Sequence, residues 1–147
     1  MNWSLVSKMN NSNFWVLQFN EAVVAELRFN KEAQSIRLHN GVRRLYFLEQ
    51  INFHQVRIEL KNEYSIVIGE CFIDKNRSAG ILILDGEKYT FKNPGLNIVL
   101  SDRNEKTISS LSFTQKEDLD ILEFSALIFG FCCNHHKSNV KQKFEVA

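Results

Sequence analysis

One stretch near the C-terminus decides the fold: TQKEDLDILEFSALIFGFCCNHH, residues 114–136. Thr114 and Glu117 have the spacing of a capping box, in which two side chains satisfy free amides at the start of a helix. From Phe124 to Cys133 the residues are apolar except for one serine and one glycine. The pattern therefore predicts a hydrophobic helix over about 115–136.

This helix has to be surrounded, because a helix on the outside of a sheet keeps a polar stripe and this one has almost none. Its surroundings are either lipid or the interior of the protein. The uninterrupted apolar run covers about ten residues, whereas a membrane span needs about twenty. Asp120 and Glu123 would also enter the bilayer, at a cost of up to about 3 kcal/mol each. We therefore expect burial within protein rather than membrane insertion, and predict that the chain is not an integral membrane protein.

From about residue 3 to 113 the sequence alternates apolar and polar residues, with turn residues every eight to twelve positions. This spacing is typical of an all-β sandwich or barrel. Asn40-Gly41 and Asp85-Gly86 are strong hairpin signals, because these residues accept positive φ angles. About twelve strands result. The residues predicted to face inward on the clearest strands are Val23, Ala25, Leu27, Phe29, Ile36, Leu38, Val56, Ile58 and Leu60.

Strand number and helix polarity together predict a mainly β fold: a closed antiparallel barrel of about 12 strands that encloses the hydrophobic C-terminal helix. An eight-stranded barrel is filled by its own side chains and has no room for a helix. The main rival is therefore a lipocalin-like barrel with an external helix, which would expose one face of 124–131. Residues 1–147 are expected to form a single domain, and the polar tail 138–147 allows one last short strand.

The strand and turn series that ends in 97–100 and 107–113, followed by DLDILEFSALI at 118–128, resembles the Tubby C-terminal-like superfamily. That superfamily includes LURP-one-related proteins and phospholipid scramblases. The resemblance covers most of the chain at the level of pattern. It implies a twelve-stranded barrel around the C-terminal helix, with short loops. Some Tubby-like proteins bind phosphoinositide head groups, so a lipid ligand is implied as well.

The composition of the chain limits the classes of binding partner and the compartment that we expect. The net charge is +1, which gives no global field to recruit nucleic acid, and we predict no nucleic-acid partner. The first residues, Met1–Lys8, do not resemble a secretory signal. The three cysteines, Cys71, Cys132 and Cys133, form no disulfide framework. A cytoplasmic protein with reduced thiols is the simplest interpretation.

A cysteine and two histidines give one candidate metal site. On a helix, Cys132, His135 and His136 lie within about one turn and could present soft ligands to a metal ion. Their spacing is not that of a structural zinc site, and a buried cysteine with histidines at a helix end also suits packing and capping. The second interpretation is favoured, and we predict neither a metal nor another cofactor.

Asp74 and Asp102 are assigned to turns between strands rather than to calcium-binding loops, since the glycine and the distal glutamate of such loops are missing.

Four arginines on neighbouring strands form the other candidate site: Arg37, Arg43, Arg44 and Arg57. On one outer face they could grip a lipid or other phosphate group. A solvated strand face with cross-strand partners such as Glu59 is the more common arrangement and is favoured here.

No nucleophile elbow, phosphate-binding loop, dinucleotide fingerprint or zinc-protease motif occurs. We therefore predict a non-enzymatic binding or interaction domain whose partner is an anionic lipid or a protein. One alternative is a membrane-surface module that uses the four arginines. The other is a small-ligand carrier or enzyme with a pocket at the barrel rim.

Overall fold

The computed structural model describes residues 2–51, 56–74, 77–92, 97–113 and 119–146. Within these ranges the chain forms eleven β-strands and one C-terminal α-helix. The elements are β1 (Asn2–Met9), β2 (Ser12–Phe19), β3 (Ala22–Asn30), β4 (Ser35–His39), β5 (Arg43–Gln50), β6 (Val56–Asn62), β7 (Val67–Ile73), β8 (Ala79–Leu84), β9 (Glu87–Lys92), β10 (Asn97–Ser101), β11 (Thr107–Phe113) and α1 (Ile121–Val146).

The strands follow one another around a closed barrel in the order in which they occur in the sequence. Every neighbouring pair is antiparallel except β1 and β11, which run parallel with Asn2 opposite Ser112 and Trp3 opposite Phe113. The reason is the odd strand number: in an up-and-down series of eleven, the first and last strands point the same way. The predicted closed barrel is confirmed, and the prediction of antiparallel pairing is wrong for the closing pair.

Hairpin turns at both predicted positions connect adjacent strands. Asp85 and Gly86 have φ angles of 50° and 80°, as a type I′ turn requires, and Gly41 has φ 98°. The turn between β2 and β3 also has two positive φ angles, 51° at Asn20 and 68° at Glu21. It contains no glycine, so its conformation is not evident from the residue types.

Strand polarity matches the predicted alternation with one exception. Val23 is 52% exposed although it was expected to face inward. The pairing of β2 with β3 shifts register between Leu17, which lies opposite Ala25, and Gln18, which lies opposite Val23. The extra residue, Val24, is the one packed against the core. The inward residues of the other clear strands are buried as predicted, or packed against the core in the case of Val56.

Helix α1 starts at Ile121, and its N-cap is Asp120. The Asp120 carboxylate accepts a hydrogen bond from the Leu122 amide at 2.8 Å, which satisfies one of the free amides of the first turn. The capping box predicted at 114–117 lies outside the described residues. The helix also continues to Val146, so both the predicted end near His136 and the possible last strand are wrong. No proline or glycine after residue 130 interrupts it.

The barrel encloses the first half of α1. Every residue from Leu122 to Cys132 is buried, on all sides of the helix. The Trp3 indole of β1 donates a hydrogen bond to the Leu127 carbonyl at 3.0 Å, and on another side the Tyr46 ring of β5 meets the Phe129 ring edge-on at 5.0 Å. The external helix of the lipocalin-like alternative is therefore wrong. Among the described residues no helix combines the length and the apolarity needed to cross a membrane.

Candidate anion-binding groove

A groove of about 510 Å³ crosses strands β2 to β5 on the outer wall of the barrel and reaches the barrel mouth, where Leu38 and Arg44 line it. Its lining is dominated by arginines. The lining residues are Phe14, Glu26, Arg28, Arg37, Leu38, His39, Arg43, Arg44, Leu45 and Glu63.

Strand pairing brings these side chains together from separate parts of the sequence. Across the strands, Phe14 lies opposite Arg28, Arg28 opposite Arg37, and Arg37 opposite Leu45. The side chains of directly opposed residues leave the sheet on the same face, with Cβ atoms about 5 Å apart. The outer face of β3 and β4 therefore holds two guanidinium groups side by side.

Next to this row runs a second one, in which Glu26 lies opposite His39 and His39 opposite Arg43. His39 Nδ1 is 3.8 Å from the Glu26 carboxylate. Glu26 thus already has a neighbour in its own row, and it lies one row away from the Arg28–Arg37 pair.

Arg28 and Arg37 lie directly opposite each other, and like charges directly across a ladder repel. The Arg28 guanidinium lies 5.0 Å from the centre of the Phe14 ring, a cation–π arrangement that orients it over an apolar surface. Within the described part of the chain, Arg37 forms no hydrogen bond or ion pair with any carboxylate. The groove therefore holds a guanidinium donor, that of Arg37, that no carboxylate among the described residues binds.

The charge balance of the lining is positive. Four arginines and two glutamates line the groove, which gives an excess of two positive formal charges from these residues. Arg43, like Arg37, has no ion-pair partner among the described residues. Arg44 also faces Tyr46 at the barrel mouth: burial and the neighbouring Cys133 thiol raise the pKa of the Tyr46 hydroxyl, and Arg44 acts in the opposite direction.

Of the four arginines singled out from the sequence, the structure brings together Arg37, Arg43 and Arg44. Arg57 lies elsewhere: its guanidinium donates to the Glu70 carboxylate at 3.0 Å and lies 5.8 Å from the centre of the Phe72 ring. The suggested partner Glu59 does not line the groove either, and Glu26 and Glu63 provide its negative charge.

Sequence reasoning missed Arg28, His39 and Phe14 as parts of this groove. The signal for Arg28 was available, because it belongs to the polar face of the alternating strand β3. The signal for Phe14 was not, since an aromatic residue in a strand is ordinarily assigned to the core.

The other candidate sites have structural explanations. The side chains of His135 and His136 lie outside the described part, and Cys132 is fully buried, which raises the pKa of its thiol well above the usual range. Within the described residues, no group of three or more histidine, cysteine, aspartate or glutamate side chains is placed to hold a metal ion. The Asp102 carboxylate accepts the amides of Asn104 and Lys106 within its own turn, and that of Asp74 binds Ser78 in the same way.

The chain was compared with protein-family models, curated proteins and solved structures, and none of them matches it.

Proposed function

We propose that the protein is a non-enzymatic binding domain that holds a phosphate-bearing anion in the groove on the outer barrel wall. The observation that carries this proposal is the directly opposed pair Arg28 and Arg37, with Arg43 on the same outer face and Arg44 at the mouth of the barrel. Guanidinium groups present planar, forked donors that match the oxygens of a phosphate. An anion between the two guanidinium groups would replace their repulsion with attraction.

Binding without catalysis is the version of this proposal that the lining supports. Among the described residues, the lining contains no serine, threonine, cysteine or lysine nucleophile, and we assign its two glutamates and its histidine to charge balance rather than to acid–base catalysis. The lumen, where a carrier or a barrel enzyme would hold its ligand, is occupied by α1.

A Tubby-like fold is part of the proposal. A closed barrel around one C-terminal helix is compatible with that superfamily, with eleven described strands where twelve are expected. The likeness makes a lipid head group one natural source of the phosphate, next to soluble phosphorylated molecules. We also place the protein in the reducing cytoplasm, because Cys71, Cys132 and Cys133 are free thiols.

Calorimetric titration with inositol hexakisphosphate and with inorganic phosphate tests the proposal. The double variant Arg37→Gln/Arg43→Gln removes two guanidinium donors from the exposed wall. Each charge-assisted hydrogen bond contributes about 1.5–3 kcal/mol, and about 1.4 kcal/mol is a factor of ten in affinity. We expect the affinity for the polyphosphate to fall at least tenfold, as an order of magnitude. We also expect wild-type binding to weaken as salt is added.

Arg57→Gln is the matched control, because it removes an outward-facing arginine that does not line the groove. It should leave the affinity unchanged. The proposed function is wrong if the wild-type protein binds neither anion, or if Arg57→Gln weakens binding as much as the double variant does.

A further inference from the structure

Exposed apolar side chains collect on three neighbouring turns at the end of the barrel from which α1 emerges, beside Tyr46 and Cys133. The turns join β2 to β3, β4 to β5 and β6 to β7, and these six strands are consecutive around the barrel. Large apolar residues are usually scattered singly over a protein surface, and a concentration of them marks an interaction site. We call these side chains the apolar rim: Phe19, Val23, Val42, Tyr64, Ile66 and Val67.

The apolar rim adjoins the groove directly. Val42 precedes Arg43 and Arg44 in the chain, and Tyr64 follows Glu63, which lines the groove. Tyr64 is 75% exposed and Ile66 is 59% exposed. Both are therefore held out in water, one and three residues after the lining residue Glu63.

The most exposed of the three turns is held in a fixed shape by Asn62. Its side-chain oxygen accepts the amides of Tyr64 at 2.9 Å and Ile66 at 3.0 Å, and Ser65 between them has φ 61°. The apolar side chains of this turn are thus presented by an ordered backbone, which reduces the entropy lost when they are buried.

The opposite side of the same barrel end is polar. The turn between β8 and β9 carries Asp85 and Gly86, and the turn between β10 and β11 spans Asp102–Lys106 without a large apolar residue. The large exposed apolar residues of this barrel end therefore lie on the side next to the basic groove, among polar turn residues such as Glu21 and Glu63.

We infer that the apolar rim inserts into the surface of an anionic lipid bilayer, so that the anion in the groove is a lipid phosphate. This inference rests on the proposed function of the groove. Charge complementarity favours a bilayer: the positive groove meets anionic head groups at the level where the adjoining apolar side chains reach the acyl boundary. Apolar side chains spread over three separate turns also suit a deformable lipid surface, which can adapt to each of them.

Vesicle co-sedimentation tests this inference, with phosphatidylcholine vesicles and with vesicles that also contain phosphatidylserine. The rim variant is Tyr64→Ser/Ile66→Ser. Its matched control is Val6→Ser/Met9→Ser, because Val6 is 57% exposed and Met9 is 65% exposed on β1, away from the apolar rim. Titration with inositol hexakisphosphate is run in parallel on all three proteins.

We expect the wild-type protein and the control to sediment with the anionic vesicles but not with the neutral ones. The rim variant should lose about tenfold or more in vesicle partitioning and keep its affinity for inositol hexakisphosphate. Insertion is also read out with Tyr64→Trp and brominated lipids. Trp3 and Trp15 are buried inside the barrel, so quenching should report the new indole.

Vesicle binding of the rim variant at the wild-type level overturns the inference. So does a wild-type protein that binds inositol hexakisphosphate but no vesicle, since the apolar rim would then belong to a protein partner. A wild-type protein that binds neither inositol hexakisphosphate nor vesicles contradicts the proposed function of the groove as well. The failure of the membrane inference alone can thus be told apart from the failure of the proposed function.

Discussion

The Glu123 side chain fixes the position of α1 inside the barrel. It is only 5% exposed and lies in the first turn of the helix, where a negative charge is favoured by the helix dipole. The Asn13 amide nitrogen donates to both carboxylate oxygens, at 3.2 and 2.8 Å, and the Trp15 indole nitrogen donates at 2.8 Å. We predict that Glu123→Gln destabilises the protein although its size hardly changes.

The magnitude follows from the donors. A glutamine whose oxygen takes the place of Oε2 still accepts from Asn13 and Trp15, but this acceptor is no longer charged. Its NH₂ group takes the place of Oε1 and lies against the Asn13 amide nitrogen, a donor facing a donor. Weakened hydrogen bonds to a charged group cost about 1.5–3 kcal/mol, and an unsatisfied buried donor costs about 1–3 kcal/mol. Allowing for partial relaxation, we expect the free energy of unfolding to fall by about 3 kcal/mol. For a chain of this length that lowers Tm by roughly 10 °C.

Urea unfolding followed by tryptophan fluorescence measures the change, because Trp3 and Trp15 both contact α1. Glu49→Gln is the control: the Glu49 side chain is 57% exposed and bonded to Lys61 at 2.7 Å, and an exposed pair of this kind contributes less than about 1 kcal/mol. A double-mutant cycle with Asn13→Ala isolates the interaction. The reasoning is refuted if Glu123→Gln costs no more than Glu49→Gln, or if the effects at positions 13 and 123 are additive.

Two further predictions concern the barrel wall and its thiols. Gly80→Ala should lower the free energy of unfolding, measured in urea, by about 2 kcal/mol or more. The reason is that a Cβ at this position would lie 2.3 Å from the Phe91 ring and 2.6 Å from the Phe72 carbonyl oxygen. An unchanged free energy of unfolding would contradict the close approach of β8 to these residues. Burial raises the pKa of the Cys71 thiol to about 12 and raises that of Cys132 as well. The thiolate is the reactive form of a cysteine and is scarce far below the pKa. Peptide mapping after treatment with a thiol reagent at pH 8 should therefore find the label on half-buried Cys133 well before it appears on Cys71 or Cys132. Equal labelling rates at the three cysteines would contradict this prediction.

Polarity patterns made the enclosed helix predictable from the sequence. A run such as Phe124–Cys133 without a polar stripe has to be covered on every side, whatever the details of its surroundings. The end of the helix was not predictable in this way. Polarity alone suggested an end near His136, whereas the backbone continues to Val146. The polarity pattern ends where the apolar run ends, but the absence of proline and glycine after residue 130 allows the helical backbone to continue.

The candidate site was predictable only in part. The alternation of apolar and polar residues shows on which face of a strand a side chain lies, but only the pairing of neighbouring strands shows which side chains on that face lie next to each other. Arg43 stands at the start of β5, whereas the Arg57 carbonyl accepts the amide of Ile51, just past the end of that strand. At about 3.3 Å per residue this separates the two arginines by about 26 Å along the wall. Arg28 and Arg37, in contrast, share one register position. Nothing in the residue types distinguishes the two cases.

The groove and the buried helix are two sides of the same strand pair. Leu27 and Leu38 lie opposite each other and face inward, one residue away from the outward pair Arg28 and Arg37. A Cβ on Gly130 would lie 2.9 Å from Leu27 and 3.6 Å from Leu38, so α1 makes a close approach to the wall directly behind the two guanidinium groups. The ladder hydrogen bonds set the spacing of β3 and β4, and because closely packed interiors resist compression, the helix behind the two strands keeps the wall from bending inward. The enclosed helix that leaves little room for a ligand in the lumen therefore supports the rigid wall on which we place the ligand.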